Sequence, residues 1–248
     1  MYQKTIGFAV ALMIAAVVIG VGPNVCKKSA QAAEPATKPA TKMTPADPDS
    51  VPEGWVLVEE DVLTVFVDSP GEHFHKARES FLKKDYKAAA EEIRKGAAFL
   101  KLQTARATAE GRKGLTVSVG ELEKLAEDIE KGTVTSAKTL DNAFARAHHA
   151  LAKHHYLKAL DNKAKKDRRK LGHDLKAAAR HLEHGLAWAG HELEAATVRI
   201  IMDTGLLAGK LIEGTAWVTE EVGKTIDKIG EEIMKLGRML EPAKPKKM

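Results

Sequence analysis

The sequence predicts a mainly α-helical protein. We expect a multi-helix bundle of antiparallel helical hairpins, with a short β-hairpin or strand near the N-terminus that follows a signal peptide and a disordered linker. Only 5% of the residues are aromatic and 29% are charged, which is typical of helical proteins rich in Ala, Lys, Glu and Leu. Apolar residues in the second half of the chain recur at steps of four and three, the period of an amphipathic helix. The run WVLVEEDVLTVFVD begins at Trp55, and its β-branched residues predict the β element over residues 55–67.

Residues 1–32 have the form of a secretory signal peptide. Lys4 precedes an apolar run over residues 6–22, and Ala30-Gln31-Ala32 offers small residues for cleavage. We therefore expect a periplasmic or secreted protein. The alternative is an uncleaved N-terminal membrane anchor, because the apolar run is nearly long enough to span a bilayer. Residues 33–53 repeat Pro-Ala-Thr-Lys, a composition that predicts an extended, disordered linker.

The charge and the cysteine count exclude several functions. The single cysteine, Cys26, lies in the leader, so the exported part has neither a thiol nor a disulfide. The formal net charge is +5, and removal of three leader lysines leaves +2, which does not indicate a nucleic-acid partner. A glycine-rich phosphate loop, a nucleophile elbow and a cysteine nucleophile are all absent from the sequence. We expect a protein that is not an enzyme.

The predicted bundle domain, residues 54–204, contains an internal echo. Residues 73–100 align with residues 155–182 at an offset of 82, and both segments carry His, Lys-Ala and Lys-Lys-Asp at matching positions. Such a match suggests a duplicated helical hairpin. We expect Lys-Lys-Asp to form the turn in each copy, with Asp85 and Asp167 capping the helix that follows.

The first copy also resembles part of a tetratricopeptide repeat. The residues that carry this resemblance are Ala77, Asp85-Tyr86, Ala89 and Ile93. The early tryptophan and terminal proline of that repeat are missing, and the pattern does not recur with its period. The resemblance implies the geometry of a helical hairpin and nothing about function.

Capping signals and apolar spacing place the remaining bundle helices. Ser118-Val-Gly-Glu121 fits a capping box at a helix start, Gly132 fits the end of that helix, and a second helix begins at about Ser136. From Asp167 to about Met202, apolar or small residues recur in 4-3 steps. This spacing predicts one long helix with a coiled-coil-like seam.

A last long amphipathic helix is predicted over residues 205–240, before a disordered basic tail at 241–248. Small residues recur along it every seven positions: Gly209, Ala216, Gly223, Gly230 and Gly237. Glycine costs about 1 kcal/mol against alanine inside a helix, so this face favours close packing of another helix. That helix belongs either to the same bundle or to a second copy in a homo-oligomer. The alternative is a glycine-rich helix that lies on a membrane surface.

Histidines supply the candidate site. Imidazoles at one-turn spacing along the helix after Asp167 align with imidazoles on the preceding helix, and an antiparallel pair of helices would bring them together. Neutral imidazole suits zinc, copper or nickel. The candidate metal ligands are His148, His155, His181 and His184, with His173 and His191 as outlying members. His73 and His75 form a weaker candidate pair. The alternative is a solvated face, in which the same rings meet only water and nearby glutamates.

These observations predict an exported, non-enzymatic helical bundle of the bacterial cell envelope, with a binding, scaffold or stress-related role. Transition-metal binding or sequestration through the histidines is the first alternative. Association of the C-terminal helix with a membrane surface is the second.

Overall fold

The computed structural model describes residues 70–215 and 219–241, and in these ranges the protein consists of helices without a strand. The mainly α fold class is therefore confirmed. The signal peptide, the linker, the β element at 55–67 and most of the basic tail lie outside the described residues. In chain order the helices are α1 (Pro70–Leu82), α2 (Tyr86–Ala105), α3 (Ala109–Glu130), α4 (Ala137–Ala164), α5 (Arg168–Ala189), α6 (Ala195–Glu213) and α7 (Thr219–Leu240).

The two Lys-Lys-Asp segments form the same turn. Lys84 and Lys166 both adopt left-handed backbone conformations, with φ of 63° and 58°. Asp85 accepts a hydrogen bond from the Ala88 amide, and Asp167 accepts one from the Lys170 amide. Both predicted N-caps are confirmed. The matching turns join α1 to α2 and α4 to α5, so the two segments of the sequence echo are both helical hairpins.

Two helix boundaries differ from the sequence interpretation. Ser118 does not begin a helix, because it is buried inside α3, whose N-cap is Thr108. The helix that starts at Asp167 ends at Gly190, whose left-handed conformation (φ 73°) stops it well before Met202. The 4-3 apolar spacing continues across this break in the sequence, which is why periodicity alone missed it.

The predicted C-terminal helix over 205–240 is in fact two helices. Gly214, with φ of 78°, closes α6, and α7 begins at Thr219. The heptad of small residues is therefore divided. Gly223, Gly230 and Gly237 face side chains of α4, respectively Lys163, Tyr156 and His149, which also recur every seven residues. Gly209 lies on α6, where an added side-chain carbon would meet no described atom within 4 Å.

Helix α4, 28 residues long, lies between two apolar clusters. The first cluster joins α1, α2 and α3 to α4 and includes Phe74, Leu115 and Phe144. The second joins α5, α6 and α7 to α4 and includes Leu175 and Ile226. Because α4 contributes to both clusters, the polar side chains on it are enclosed between them, and this enclosure creates the candidate site.

Candidate functional site

Four of the ten histidines have buried side chains, and they lie on the adjacent helices α4 and α5. His148 and His154 are fully buried, and His155 and His181 are exposed by only 3% and 5%. The short turn at Lys165 and Lys166 makes α4 and α5 antiparallel neighbours, which brings residues equally distant from the turn opposite one another. The interpretation of a solvated face is therefore wrong for His148, His155 and His181.

His148 and His181 form a direct hydrogen bond between imidazoles. Their Nδ1 atoms are 3.2 Å apart, so one ring donates its proton and the other accepts. The Nε2 atom of His148 is buried without a hydrogen-bond partner among the described residues. A buried N–H without an acceptor is rarer than an acceptor without a donor. The favoured tautomer therefore has His148 donating from Nδ1, which leaves a bare lone pair on its Nε2.

His155 is held by a carboxylate. Its Nδ1 lies 2.9 Å from Oδ1 of Asp174, and Nδ2 of Asn162 donates to the other carboxylate oxygen at 2.7 Å. The ammonium group of Lys158 is 3.7 Å from Oδ1 of Asp174. The His155 and His181 rings stack with centroids 5.7 Å apart. Asp174 is thus a buried carboxylate with three polar partners, and it orients one end of the imidazole row.

His184 and His75 complete the other end of the row, nearer the surface. The half-buried His184 ring lies 5.1 Å from the His148 ring. His75, on α1, packs against Trp188 at a centroid distance of 4.7 Å, and its charged form acts electrostatically on His148. The Phe74 and His148 rings pack edge to face with their centroids 5.5 Å apart, so Phe74 borders the row on its inner side. Imidazoles from α1, α4 and α5 therefore lie near Phe74 and Trp188: His148 contacts Phe74, and His75 contacts Trp188.

Burial keeps the inner imidazoles neutral. Desolvation is the main cause that lowers the pKa of His148 and of His181 well below 6.5, and neighbouring histidines add to the effect. Desolvation likewise lowers the pKa of His154 to about 2. A neutral ring keeps a lone pair at neutral pH, which is the form that ligates a metal.

The outlying candidates lie elsewhere. His191 follows the left-handed Gly190 and is exposed in the loop between α5 and α6, because α5 ends before the predicted stripe does. His173 is half-buried on α5, one residue before Asp174. The predicted set thus divides into a row of four rings, His155, His181, His148 and His184, and two residues outside it.

Sequence reasoning treated His75 only as part of a separate, weaker pair with His73, and it missed the roles of Asp174 and Asn162. One signal was available in the internal echo. His73 contacts Glu92 at 2.7 Å across the first hairpin, and the same offset of 82 maps this pair onto His155 and Asp174. The histidine–carboxylate pair is therefore present in both hairpins, and the alignment that matched the histidines also aligns their partners.

The row has the chemistry of a metal site without its finished geometry. Within residues 70–215 and 219–241, no three His, Asp or Glu side chains are arranged around a single metal position. The centroid separation of His148 and His184 nevertheless matches the roughly 5 Å expected of two imidazoles that share a tetrahedral ion with metal–nitrogen bonds of about 2 Å. His148 also donates its Nδ1 proton to another side chain, which is the usual arrangement for a histidine that ligates through Nε2.

In the described residues, the fold and the site define a helical bundle with a row of buried and half-buried imidazoles between its two apolar clusters. Comparisons with protein-family models, with curated proteins and with solved structures found no significant match to this chain. In the described part of the chain, no helix has the length and apolar character needed to cross a membrane.

Proposed function

We propose that this protein is an exported, non-enzymatic bundle of the bacterial cell envelope that binds a borderline transition metal through its histidine row. The observation that carries the proposal is the Nε2 atom of His148, which is buried without a hydrogen-bond partner among the described residues. Burial keeps its ring neutral. An imidazole nitrogen without a hydrogen-bond partner is unfavourable in an apolar core. Beside a second imidazole, however, it can supply one of two ligands to zinc, copper or nickel.

The proposed ligands are His148, His184 and His75. His184 and His75 are in contact with solvent, so a metal ion can enter from the side of Trp188. In this proposal, rotation of the two side chains brings their rings to the ion. His181 accepts the Nδ1 proton of His148 and fixes its orientation. On the other side, the His155 ring stacks against His181, and Asp174 holds His155 through its Nδ1.

Sequestration or buffering is the role that this donor set favours. The ligands are neutral imidazoles, and the only acidic member of the row, Asp174, is already held by His155, Asn162 and Lys158. It is not placed to act as a base on a water bound near His148. An exported protein without thiols also has to use imidazole and carboxylate ligands for such metals.

Calorimetric titration of the purified, metal-free protein with zinc, copper and nickel tests the proposal. We expect one equivalent to bind more tightly than micromolar for at least one of the three metals. Binding should weaken in acid, because protonated imidazole cannot ligate. His75→Ala and His184→Ala should abolish binding, and neither change removes a fully buried side chain, so the fold should persist by circular dichroism.

His191→Ala is the matched control, because it removes an exposed imidazole close in sequence to His184 and outside the row. Retention of binding in this variant, together with loss in His75→Ala and His184→Ala, would support the site. Absence of binding in the parent protein, or binding that survives both ligand substitutions, would refute it.

The compartment is tested separately by cell fractionation. We expect the protein in the periplasm or the medium, with a mature N-terminus that starts after residue 32. Full-length protein in the cytoplasm would contradict export, and full-length protein in the membrane fraction would favour the uncleaved anchor.

A further inference from the structure

Helix α6 has an exposed apolar face that none of the described residues covers. Met202 and Leu206, one turn apart, are 62% and 66% exposed. A side-chain carbon added at Gly205 or Gly209 would meet no described atom within 4 Å, so there is open space beside the helix at both positions. Scattered exposed apolar side chains are normal on protein surfaces. Here two exposed apolar side chains lie beside two glycines with open space next to them. Such a surface allows another helix to pack at a short distance.

The charges on this face are arranged so that it complements itself. Arg199 lies seven residues before Leu206 and Glu213 lies seven residues after it, while Asp203 and Lys210 lie three before and four after. All four are exposed. If two copies of α6 pack antiparallel about Leu206, each Arg199 meets a Glu213 and each Asp203 meets a Lys210. Such agreement is what a symmetric interface between identical surfaces requires.

The intramolecular contacts leave these charges available. In the described residues, Lys210 has one long contact, 4.0 Å to Glu221, with both side chains about half exposed. A pair of that length at the surface contributes little. The alternation of two cations with two anions also argues against a lipid surface as the occupant, because helices that bind anionic membranes carry mostly Lys and Arg on the polar face.

We infer that α6 is the contact surface of a homodimer, in which two copies of Ala195–Glu213 pack antiparallel with Leu206 on the two-fold axis. The small side of each helix, at Gly205 and Gly209, allows a close approach. Exposed Met202 is covered, and the two kinds of ion pair fix the direction. A contact made mainly by one helix from each copy is small among specific interfaces, so we expect a dimer that dissociates on dilution. This inference does not depend on metal binding.

Sedimentation equilibrium of the purified protein tests the contact. We expect a monomer–dimer equilibrium in the parent, and only monomer in Leu206→Glu, which places two carboxylates on the axis. Arg199→Glu should weaken the dimer by about tenfold, because two symmetric ion pairs become repulsive. The exchange variant Arg199→Glu/Glu213→Arg should restore the parent affinity, since the pairs are re-formed with reversed direction.

Leu102→Glu is the matched control. Leu102 is 67% exposed on α2, so this substitution adds the same charge to an equally exposed leucine outside the face, and it should leave the dimer intact. A parent that is monomeric at all concentrations would overturn the inference, as would an exchange variant that fails to recover. Co-sedimentation of the monomeric parent with vesicles of anionic phospholipid, abolished by Leu206→Glu, would instead assign the face to lipid.

Discussion

At the scale of single residues, the least expected feature is His154. Its ring is fully buried beside Gly111, and neither of its nitrogens has a hydrogen-bond partner among the described residues. A buried polar atom left without a partner costs about 1–3 kcal/mol. Unlike His148, His154 lies at the edge of the row, where its ring packs against that of His155 at a centroid distance of 4.8 Å. We regard it as a cost to stability that the proposed metal site does not explain.

His154→Leu should therefore stabilise the protein by about 1–3 kcal/mol in urea unfolding at pH 7. The lowered pKa of His154 also predicts how stability depends on pH. The folded state keeps this ring neutral, whereas the unfolded chain protonates it below pH 6.5. The free energy of unfolding is therefore highest above pH 6.5 and decreases as the pH falls. His148, His154 and His181 should each contribute about 1.4 kcal/mol of loss per pH unit below 6.

The variant should reduce that slope by about 1.4 kcal/mol per pH unit, because one ring that burial keeps neutral is gone. Unfolding at pH 6.0 and 5.0 measures this change where most carboxylates are still ionised. His191→Leu provides the control, because it removes an exposed imidazole that lies outside the row. An unchanged slope in His154→Leu would contradict the assignment of the acid sensitivity to buried imidazoles.

At the scale of helices, the sequence predicted the buried side of each helix better than the residue at which the helix ends. The 4-3 spacing correctly identified the buried side of α5 at Leu171, Leu175 and Leu182, because burial depends on the helical period that the sequence carries directly. The end of α5 depends on the left-handed conformation of Gly190, and nothing local distinguishes Gly190 from Gly185, which stays helical. The site shows the same division. Aligned rings on α4 and α5 were predictable, whereas the approach of His75 on α1 depends on tertiary packing.

Glycines inside helices illustrate this dependence and provide a test. On α5, a side-chain carbon at Gly172 would lie 2.8 Å from the carbonyl oxygen of Ala208, on the backbone of α6. Gly172→Ala should therefore push α5 and α6 apart and destabilise the protein by about 1–3 kcal/mol. Gly120→Ala, at an exposed site on α3 with no described atom within 4 Å, should instead stabilise it by about 0.5–1 kcal/mol.

Chemical denaturation of both variants gives the comparison. Opposite signs are the expected result, because the substitution is chemically identical and only the packing differs. If Gly172→Ala were as stable as the parent, the close approach of α5 to the α6 backbone would be wrong.

At the scale of the whole molecule, the two hairpins share a turn, a cap and a histidine–carboxylate pair, but they have diverged in what surrounds them. In the first hairpin the pair of His73 and Glu92 is partly exposed, with side-chain exposures of 33% and 16%. In the second, His155 and Asp174 are enclosed at 4% and 6%, because α4 is longer than α1 and is covered on both sides. The same local pattern thus gives a surface ion pair in one copy and part of a buried polar row in the other.

Because α4 belongs to both apolar clusters, we expect the described bundle to unfold in one cooperative transition. Leu115→Ala in the first cluster and Ile226→Ala in the second each remove a fully buried side chain and should cost about 2–5 kcal/mol. Either change should lower the midpoint of the same transition, measured by scanning calorimetry and by helical circular dichroism. His148 contacts Phe74 of the first cluster and His181 on α5, so the imidazole row couples the two. Two separate transitions, each shifted by only one of the substitutions, would show instead that the clusters are independent and that α4 merely connects them.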